Sequence, residues 1–366
     1  MPQIISTEIK KNKVILAMVA LNKNDNIEED LYELGNLAKA DNCEIVGKVF
    51  QNKDKPDPKF LLGTGKVDEL KAIVNETSAD MVIFDNQLSG SKINALEEYL
   101  GCKVIDRAML ILDIFASRAL SNEGKLQVEL AQLKYTLPRL SGISGTSGRY
   151  GSGGIGMRGP GETELELNKR VIEKKILEKT RELKKLKQER DLRREKRVLS
   201  KKPLVALVGY TNSGKSTLLN TITKANVLAK DMLFATLDTT TRELWLGFKK
   251  EIMIVDTVGF VNKLPHELVE AFSSTLEEVV YADLLVHVID VSNSEHNVQE
   301  RVVLNVLKEL GAGDKPIIKV YNKCDKIDIN EKEENAIYIS AKENINLDLL
   351  KEKISSILFG DDEEQY

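Results

Sequence analysis

The chain of 366 residues carries only three cysteines, three histidines and one tryptophan. Cys43, Cys102 and Cys324 cannot build a disulfide framework and read as reduced thiols. His266, His287 and His296 show no metal-ligand spacing, and His287, inside an apolar run, is expected in the core. No stretch approaches the roughly 18 uncharged apolar residues of a membrane-crossing helix. Val14 to Leu21 is only strand-sized. The opening MPQIISTEIKKNK lacks the apolar core and small-residue cleavage site of a secretion signal. These absences predict a cytoplasmic protein with no membrane span. An excess of one charge is missing too: 53 Lys+Arg stand against 57 Asp+Glu, net −4, which argues against a nucleic-acid binder taken as a whole.

What is present is a soluble globular composition, 42% apolar and 30% charged, in a chain long enough for two or three domains. The charge is uneven. Residues 169–202 hold 16 Lys/Arg and 6 Asp/Glu, which suggests an anionic partner for that segment alone.

Residues 1–119 alternate strand-like runs (Val14–Ala20, Ile45–Phe50, Met81–Phe84) with helical patterns (Glu28–Ala40, Lys66–Val74, Ile93–Leu100), the rhythm of an α/β domain around a mostly parallel sheet. Residues 120–202 change character. Leu126, Leu130, Leu133, Leu137 and Leu140 follow a 4-3-4-3 seam that Pro138 is expected to close. Leu165, Ile172, Ile176, Leu183 and Leu186 share one heptad register, interrupted by Lys169 and Lys179. Two matching seams predict an antiparallel two-helix arm, which a solvated charged helix would not explain. Its tip, 141–162, holds nine glycines between Gly142 and Gly161, too many for a helix or strand. Either it is a passive spacer or, with Arg149, Tyr150 and Arg158 among the glycines, a loop that approaches RNA closely.

Residues 203–360 return to βα alternation, and 361–366 form an acidic tail. Pro203–Val208 reads as a buried strand. It runs into Gly209-Tyr210-Thr211-Asn212-Ser213-Gly214-Lys215-Ser216 and a helix from Thr217. This is the phosphate-loop spacing in its strand–loop–helix context. The glycines let backbone N–H groups turn toward phosphate oxygens, Lys215 reaches the outer phosphates and Ser216 offers a hydroxyl to Mg²⁺. A second strand ends at Asp256, followed by Thr257, Val258 and Gly259. That carboxylate can hold magnesium through a water, and the Gly259 N–H can meet the terminal phosphate. A third strand leads to Asn322-Lys323-Cys324-Asp325. Asp325 can accept both donors of guanine, whereas adenine would leave it desolvated and unpaired. The backbone of Ser340-Ala341-Lys342 can meet the guanine carbonyl. Three such motifs, in order on three strands, predict a magnesium-dependent GTPase.

With these motifs placed, the sequence resembles the translation-factor-like P-loop GTPases, and within them the HflX family of ribosome-associated GTPases. The resemblance rests on Leu61-Leu62-Gly63-Thr64-Gly65-Lys66, the loop ending Arg158-Gly159-Pro160-Gly161-Glu162-Thr163, Phe234-Ala235-Thr236-Leu237-Asp238, and Asp256-Thr257-Val258-Gly259-Phe260. It implies binding to the large ribosomal subunit and its rRNA, with a role in splitting or rescuing ribosomes under stress. Spacing alone leaves Thr236, Thr239, Thr240 and Thr241 as candidate magnesium ligands, and the resemblance selects Thr236. It also matches Asn212 to an asparagine that potassium-dependent relatives use as a cation ligand; the alternative is an asparagine that braces the loop. Phe260 stands where many GTPases have a water-orienting glutamine, so intrinsic hydrolysis is expected to be slow. Two other classes stay open: an RNA-binding module with a structural nucleotide, and a GTPase of tRNA modification. Gly63-Thr64-Gly65-Lys66 reads as a tight turn or a second anion site, and Trp245 as core or sheet face. A monomer fits an internally paired arm.

Overall fold

The computed structural model describes residues 11–21, 26–140, 164–199, 202–223, 233–234, 240–247, 250–263, 273–327 and 336–360. Arg149, Tyr150 and Arg158, the segment 235–239, His266 and the acidic tail lie outside the described residues. The chain divides into two compact units, Met1–Ser117 with Glu129–Lys179, and Arg118–Val128 with Thr180–Tyr366.

The first unit is built on a four-stranded parallel sheet in the order β2-β1-β3-β4, comprising β1 (Asn12–Ala20), β2 (Cys43–Asn52), β3 (Met81–Phe84) and β4 (Lys103–Asp106). Val14–Ala20 is buried at every position because β1 is central and covered on both faces. Between the strands run α1 (Ile27–Ala40), α2 (Thr64–Thr77) and α3 (Gly90–Leu100), and α4 (Arg107–Arg118) follows β4. Ile15, Ala17, Val19, Leu62, Leu70, Phe84 and Leu96 share one core. Each leucine-sized side chain buried there stabilises the fold by about 1.5–3 kcal/mol. β4 and α4 carry no pattern that the sequence reading singled out; β4 has only four residues.

The strand ends of this unit hold a buried charged cluster. Arg107, 3% exposed, pairs with Asp85 at 2.7 Å and Glu33 at 3.0 Å. Burial opposes its charge, but Glu33 and Asp85 outweigh that and raise its pKa above the ordinary arginine value. Asp106, fully buried, accepts N–H bonds from Leu88 and Met109 and the hydroxyl of Tyr135 at 2.5 Å.

Tyr135 belongs to α5 (Asn122–Leu140), which pairs with α6 (Glu164–Leu199). Residue numbers rise on one helix as they fall on the other: Lys179 meets Glu129 at 2.9 Å and Arg190 meets Glu123 at 2.9 Å. α6 spans 36 residues, about 54 Å. Among its described side chains the half-buried positions are Ile172, Ile176, Lys179, Leu183, Leu186 and Arg190, the heptad seam with the interrupting Lys179, whereas Lys169 is exposed and the Leu165 side chain lies outside the described ones. One expectation needs correction. Pro138 does not end α5 but sits in its last turn, and the helix runs on to Leu140. Its ring removes one backbone donor, while the Arg139 guanidinium donates to the Tyr135 carbonyl in the same turn at 2.8 Å.

The second unit carries a six-stranded sheet in the order β10-β9-β8-β5-β7-β6. Its strands are β5 (Leu204–Val208), β6 (Thr240–Gly247), β7 (Lys250–Asp256), β8 (Leu284–Asp290), β9 (Ile317–Asn322) and β10 (Ile337–Tyr338). Only the β6–β7 pair is antiparallel. The helices are α7 (Lys215–Thr223), α8 (Ser273–Tyr281), α9 (His296–Glu309) and α10 (Leu347–Phe359). Val205, Leu207, Val286, Val288, Ile252, Ile254 and Val320 form the sheet side of the core, with Leu218, Leu350 and Ile354 on the helix side. Trp245 lies on the edge strand β6 and is 65% exposed, so it is a sheet-face residue and not core. No helix among the described residues is long and apolar enough to cross a membrane.

Candidate functional site

The carboxyl ends of β5, β7, β8 and β9 converge on the loop 209–214. Its shape depends on two glycines. Gly209 has φ +155°, and a Cβ there would lie 2.3 Å from the Val288 carbonyl oxygen. Gly214 has φ +97°, and its Cβ would lie 2.2 Å from Asn322 Nδ2. A side chain at either position is excluded by conformation and by contact. Asn212 also adopts a left-handed conformation, φ +61°, which asparagine tolerates better than most residues.

α7 begins at Lys215, directly after this loop, so its first-turn N–H groups and positive dipole end face the same space. The Lys215 ammonium donates to the carbonyls of Gly209 (3.1 Å) and Tyr210 (2.8 Å). Burial pushes its pKa down to about 8, with Asp256 opposing that shift. Thr211 Oγ1 and Ser213 Oγ are buried with no hydrogen-bond partner among the described residues. Buried hydroxyls without partners are costly unless a ligand satisfies them.

Ser216 Oγ lies 2.5 Å from Asp256 Oδ2. A hydroxyl and a carboxylate in contact are the hard oxygen donors that suit Mg²⁺, so these residues fit the ion the sequence implies. Asp256 is fully buried, and Thr257 anchors the strand end by donating to the Leu207 carbonyl at 2.7 Å. Gly259 follows, so close to the loop that a Cβ would sit 2.8 Å from Thr211 Cα and 3.0 Å from Lys215 Nζ. Only glycine fits beside the lysine at this point.

The segment 322–325 is joined to the phosphate loop by side chains. Asn322, 2% exposed, donates through Nδ2 to the Ser213 carbonyl (2.8 Å) and accepts through Oδ1 from the Ala341 N–H (3.0 Å). It ties three sequence motifs together. Lys323, at φ +64°, donates to the Asn212 carbonyl at 2.9 Å and pairs with Asp290 at 2.6 Å. Asp325 is exposed, and the Ser340 hydroxyl holds its carboxyl below the usual carboxylate range. Ser340 itself accepts from the Glu343 N–H at 3.1 Å. Lys342 is exposed. Cys324 packs beside Tyr321, Tyr338 and Ile289.

The structure thus gathers 209–217, 256–259, 322–325 and 340–342. Phe234 is buried at φ +53°, and Ala235, Thr236, Leu237 and Asp238 lie outside the described residues. Two residues escaped the sequence reading. Asp290, at the end of β8, anchors Lys323 and also bonds Ser292 Oγ at 2.6 Å. The signal was an acid closing an apolar strand, the same signal that marked Asp256. Thr221, on α7, donates to the Ala341 carbonyl at 2.9 Å, and a threonine inside a short helix gives no such signal. His287 is in the core as expected, 1% exposed. Burial, then Lys215 and Lys319, push its pKa down to about 3. Gly63-Thr64-Gly65-Lys66 forms the start of α2, where the Gly63 N–H donates to Gln51 Oε1 and Lys66 pairs with Glu69. That is the tight turn.

Comparison with known proteins agrees with this geometry. Residues 28–116 match the model of the GTP-binding GTPase N-terminal region, 118–197 that of the GTP-binding GTPase middle region, and 204–323 that of a 50S ribosome-binding GTPase. GTPase HflX of Caldanaerobacter subterraneus subsp. tengcongensis is 50% identical over 97% of this chain and 83% of its own. GTPase HflX of Lacrimispora saccharolytica is 44% identical over 98% of this chain and 86% of its own. The crystal structure of SsGBP in complex with GDP superposes with a TM-score of 0.53 at 27% identity, covering 94% of this chain and 98% of that one. The phosphate loop, the strand-end Asp256 and the loops 322–325 and 340–342 meet in one unit, and likeness to these relatives extends over nearly the whole chain: it belongs to the HflX family of GTPases.

Proposed function

We propose that this GTPase is a nucleotide-driven switch acting in the cytosol as a monomer on the large ribosomal subunit, in splitting or rescue of ribosomes under stress. The observation that carries the nucleotide part is the Asn322 bridge, which fixes the phosphate loop and both base-reading loops as one frame. In this reading Lys215 and the 209–216 backbone hold the phosphates, and Ser216, Asp256 and Thr236 hold magnesium. Asp325 reads guanine between Lys323 and the Ser340–Lys342 backbone. Held there, magnesium would neutralise charge on the nucleotide's phosphates. The Gly259 N–H registers the terminal phosphate, so loss of that phosphate releases the segment after Asp256. The exposed carboxamide at Asn212 is the position where a potassium ion would add to the loop, which predicts faster turnover in K⁺ than in Na⁺.

The basic face of α6 and the loop residues Arg149, Tyr150 and Arg158 are the proposed rRNA contacts, with Lys179, Lys187 and Arg190 excepted because they pair with Glu129, Glu277 and Glu123. Sedimentation with purified 30S, 50S and 70S particles, in GDP or a nonhydrolysable GTP analogue, tests the reading. Nucleotide-dependent binding to 50S that weakens steeply with salt is expected. Arg149→Ala with Arg158→Ala should lower it while leaving GTP affinity intact. Equal binding to all particles in either nucleotide, or no GTP turnover with large subunits present, would overturn the switch.

A further inference from the structure

We infer that Tyr210 is a positioning residue that restrains GTP hydrolysis by tying the segment after Gly259 to the phosphate loop. The inference deepens the GTP-switch reading and rests on it. Three hydrogen bonds make the tie. The Phe260 N–H donates to the Gly209 carbonyl (3.1 Å), the Thr211 N–H donates to the Phe260 carbonyl (2.7 Å), and the Asn262 N–H donates to the Tyr210 hydroxyl (2.7 Å). Tyr210 and Phe260 thereby form a short parallel bridge outside the named strands, and both are buried.

A phosphate loop meets its ligand through backbone N–H groups, so the phosphates do not require a phenol at position 210. A buried tyrosine hydroxyl needs a polar partner, and here it has taken a backbone donor of the segment that must move. The consequence falls on water. The Phe260 ring cannot orient an attacking water, which leaves its carbonyl as the acceptor residue 260 can offer. That carbonyl already accepts the Thr211 N–H, which occupies one of its two lone pairs and holds it against the loop. While the tie holds, the carbonyl of residue 260 cannot turn to orient an attacking water, and intrinsic turnover is slow. An activator that pulls 260–262 away from the loop exposes the carbonyl.

Tyr210→Phe removes the hydroxyl and keeps the ring. Losing one neutral hydrogen bond opens the tie about fivefold more often. The expected result is an intrinsic kcat raised about fivefold, with KM and equilibrium affinity for GTP unchanged. The kcat in the presence of large subunits should not change, so the stimulation ratio falls by the same factor. Amide hydrogen exchange at 260–263, with a nonhydrolysable GTP analogue bound, should quicken in the variant. A merely structural tyrosine would instead lower affinity or both rates together. An intrinsic kcat that stays the same or falls, or unaltered exchange, overturns the inference while leaving the switch standing. A wild-type protein with no GTP turnover under either condition would overturn both.

Discussion

The first unit has a parallel sheet and the second a mostly parallel one, and in each a glycine–lysine sequence opens a helix after a strand or its loop, yet only one of these helix starts is organised to take phosphate. At 209–216 two glycines hold positive φ, and the lysine ammonium is buried among loop carbonyls. At 63–66 Gly63 has an ordinary φ of −67°, its N–H is spent on Gln51, and Lys66 is half-buried and paired with Glu69. A helix N-terminus offers the same dipole in both places. What differs is the loop before the helix. In the second unit it buries the hydroxyls of Thr211 and Ser213 with no hydrogen-bond partner among the described residues, whereas in the first the Gly63 N–H is taken up by Gln51.

The largest expected effect tests that contrast directly. Lys215→Met should remove a charge-assisted contact to phosphate costing about 3 kcal/mol, roughly a hundredfold in GTP affinity. Lys66→Met should leave GTP affinity unchanged. Equilibrium titration of both variants checks the pair, and a comparable loss in each would erase the distinction.

A smaller effect is expected at the base. Asp325→Asn should weaken GTP by about 1.5–3 kcal/mol and shift preference toward xanthosine nucleotides, because the amide donates where guanine also donates. Competition between GTP and xanthosine triphosphate measures it. Retained GTP preference would take Asp325 out of base reading.

The smallest concerns pH. Burial favours the neutral amine of Lys215 and brings its pKa to about 8, whereas bound phosphate favours the ammonium. Binding therefore takes up a proton above about pH 8, and affinity should fall there by up to tenfold per pH unit while staying flat below about pH 7. Titrations at several pH values, with proton uptake read from buffers of different ionisation enthalpy, check the sign. An affinity that rose with pH would mean the lysine is not the group being charged.

The Arg190 fork shows a different kind of information. The sequence placed this arginine only in a basic run, as one of many charges for an anionic partner. In the structure it sits half-buried on the α6 seam, joined to Glu123 at 2.9 Å and Glu277 at 3.0 Å. Lys187 reaches Glu277 as well, at 2.6 Å. Part of the positive charge is therefore neutralised inside the protein, on α5 and α8. Composition counts charges but not the partners that folding brings within reach.

By itself the sequence determined the strands that are buried end to end, the α6 seam and the strand-end placement of the segments at 209–216, 256–259, 322–325 and 340–342. Each is a local pattern: alternation, a 4-3 spacing, or a glycine-bearing turn after an apolar run. It did not determine β4, whose four residues include the charged Lys103 and Asp106 where β3 of equal length is wholly apolar, or the continuation of α5 past Pro138, where the last turn is closed by a side chain. The Asp290–Lys323 pair, the Thr221 bond to Ala341 and the Tyr210–Asn262 tie were decided only in three dimensions. Their partners lie 33, 120 and 52 residues apart. Hydrogen bonds and ion pairs act over about 3 Å of space, and nothing in the chemistry of either residue alone specifies which distant atom the packed sheet will set at that distance.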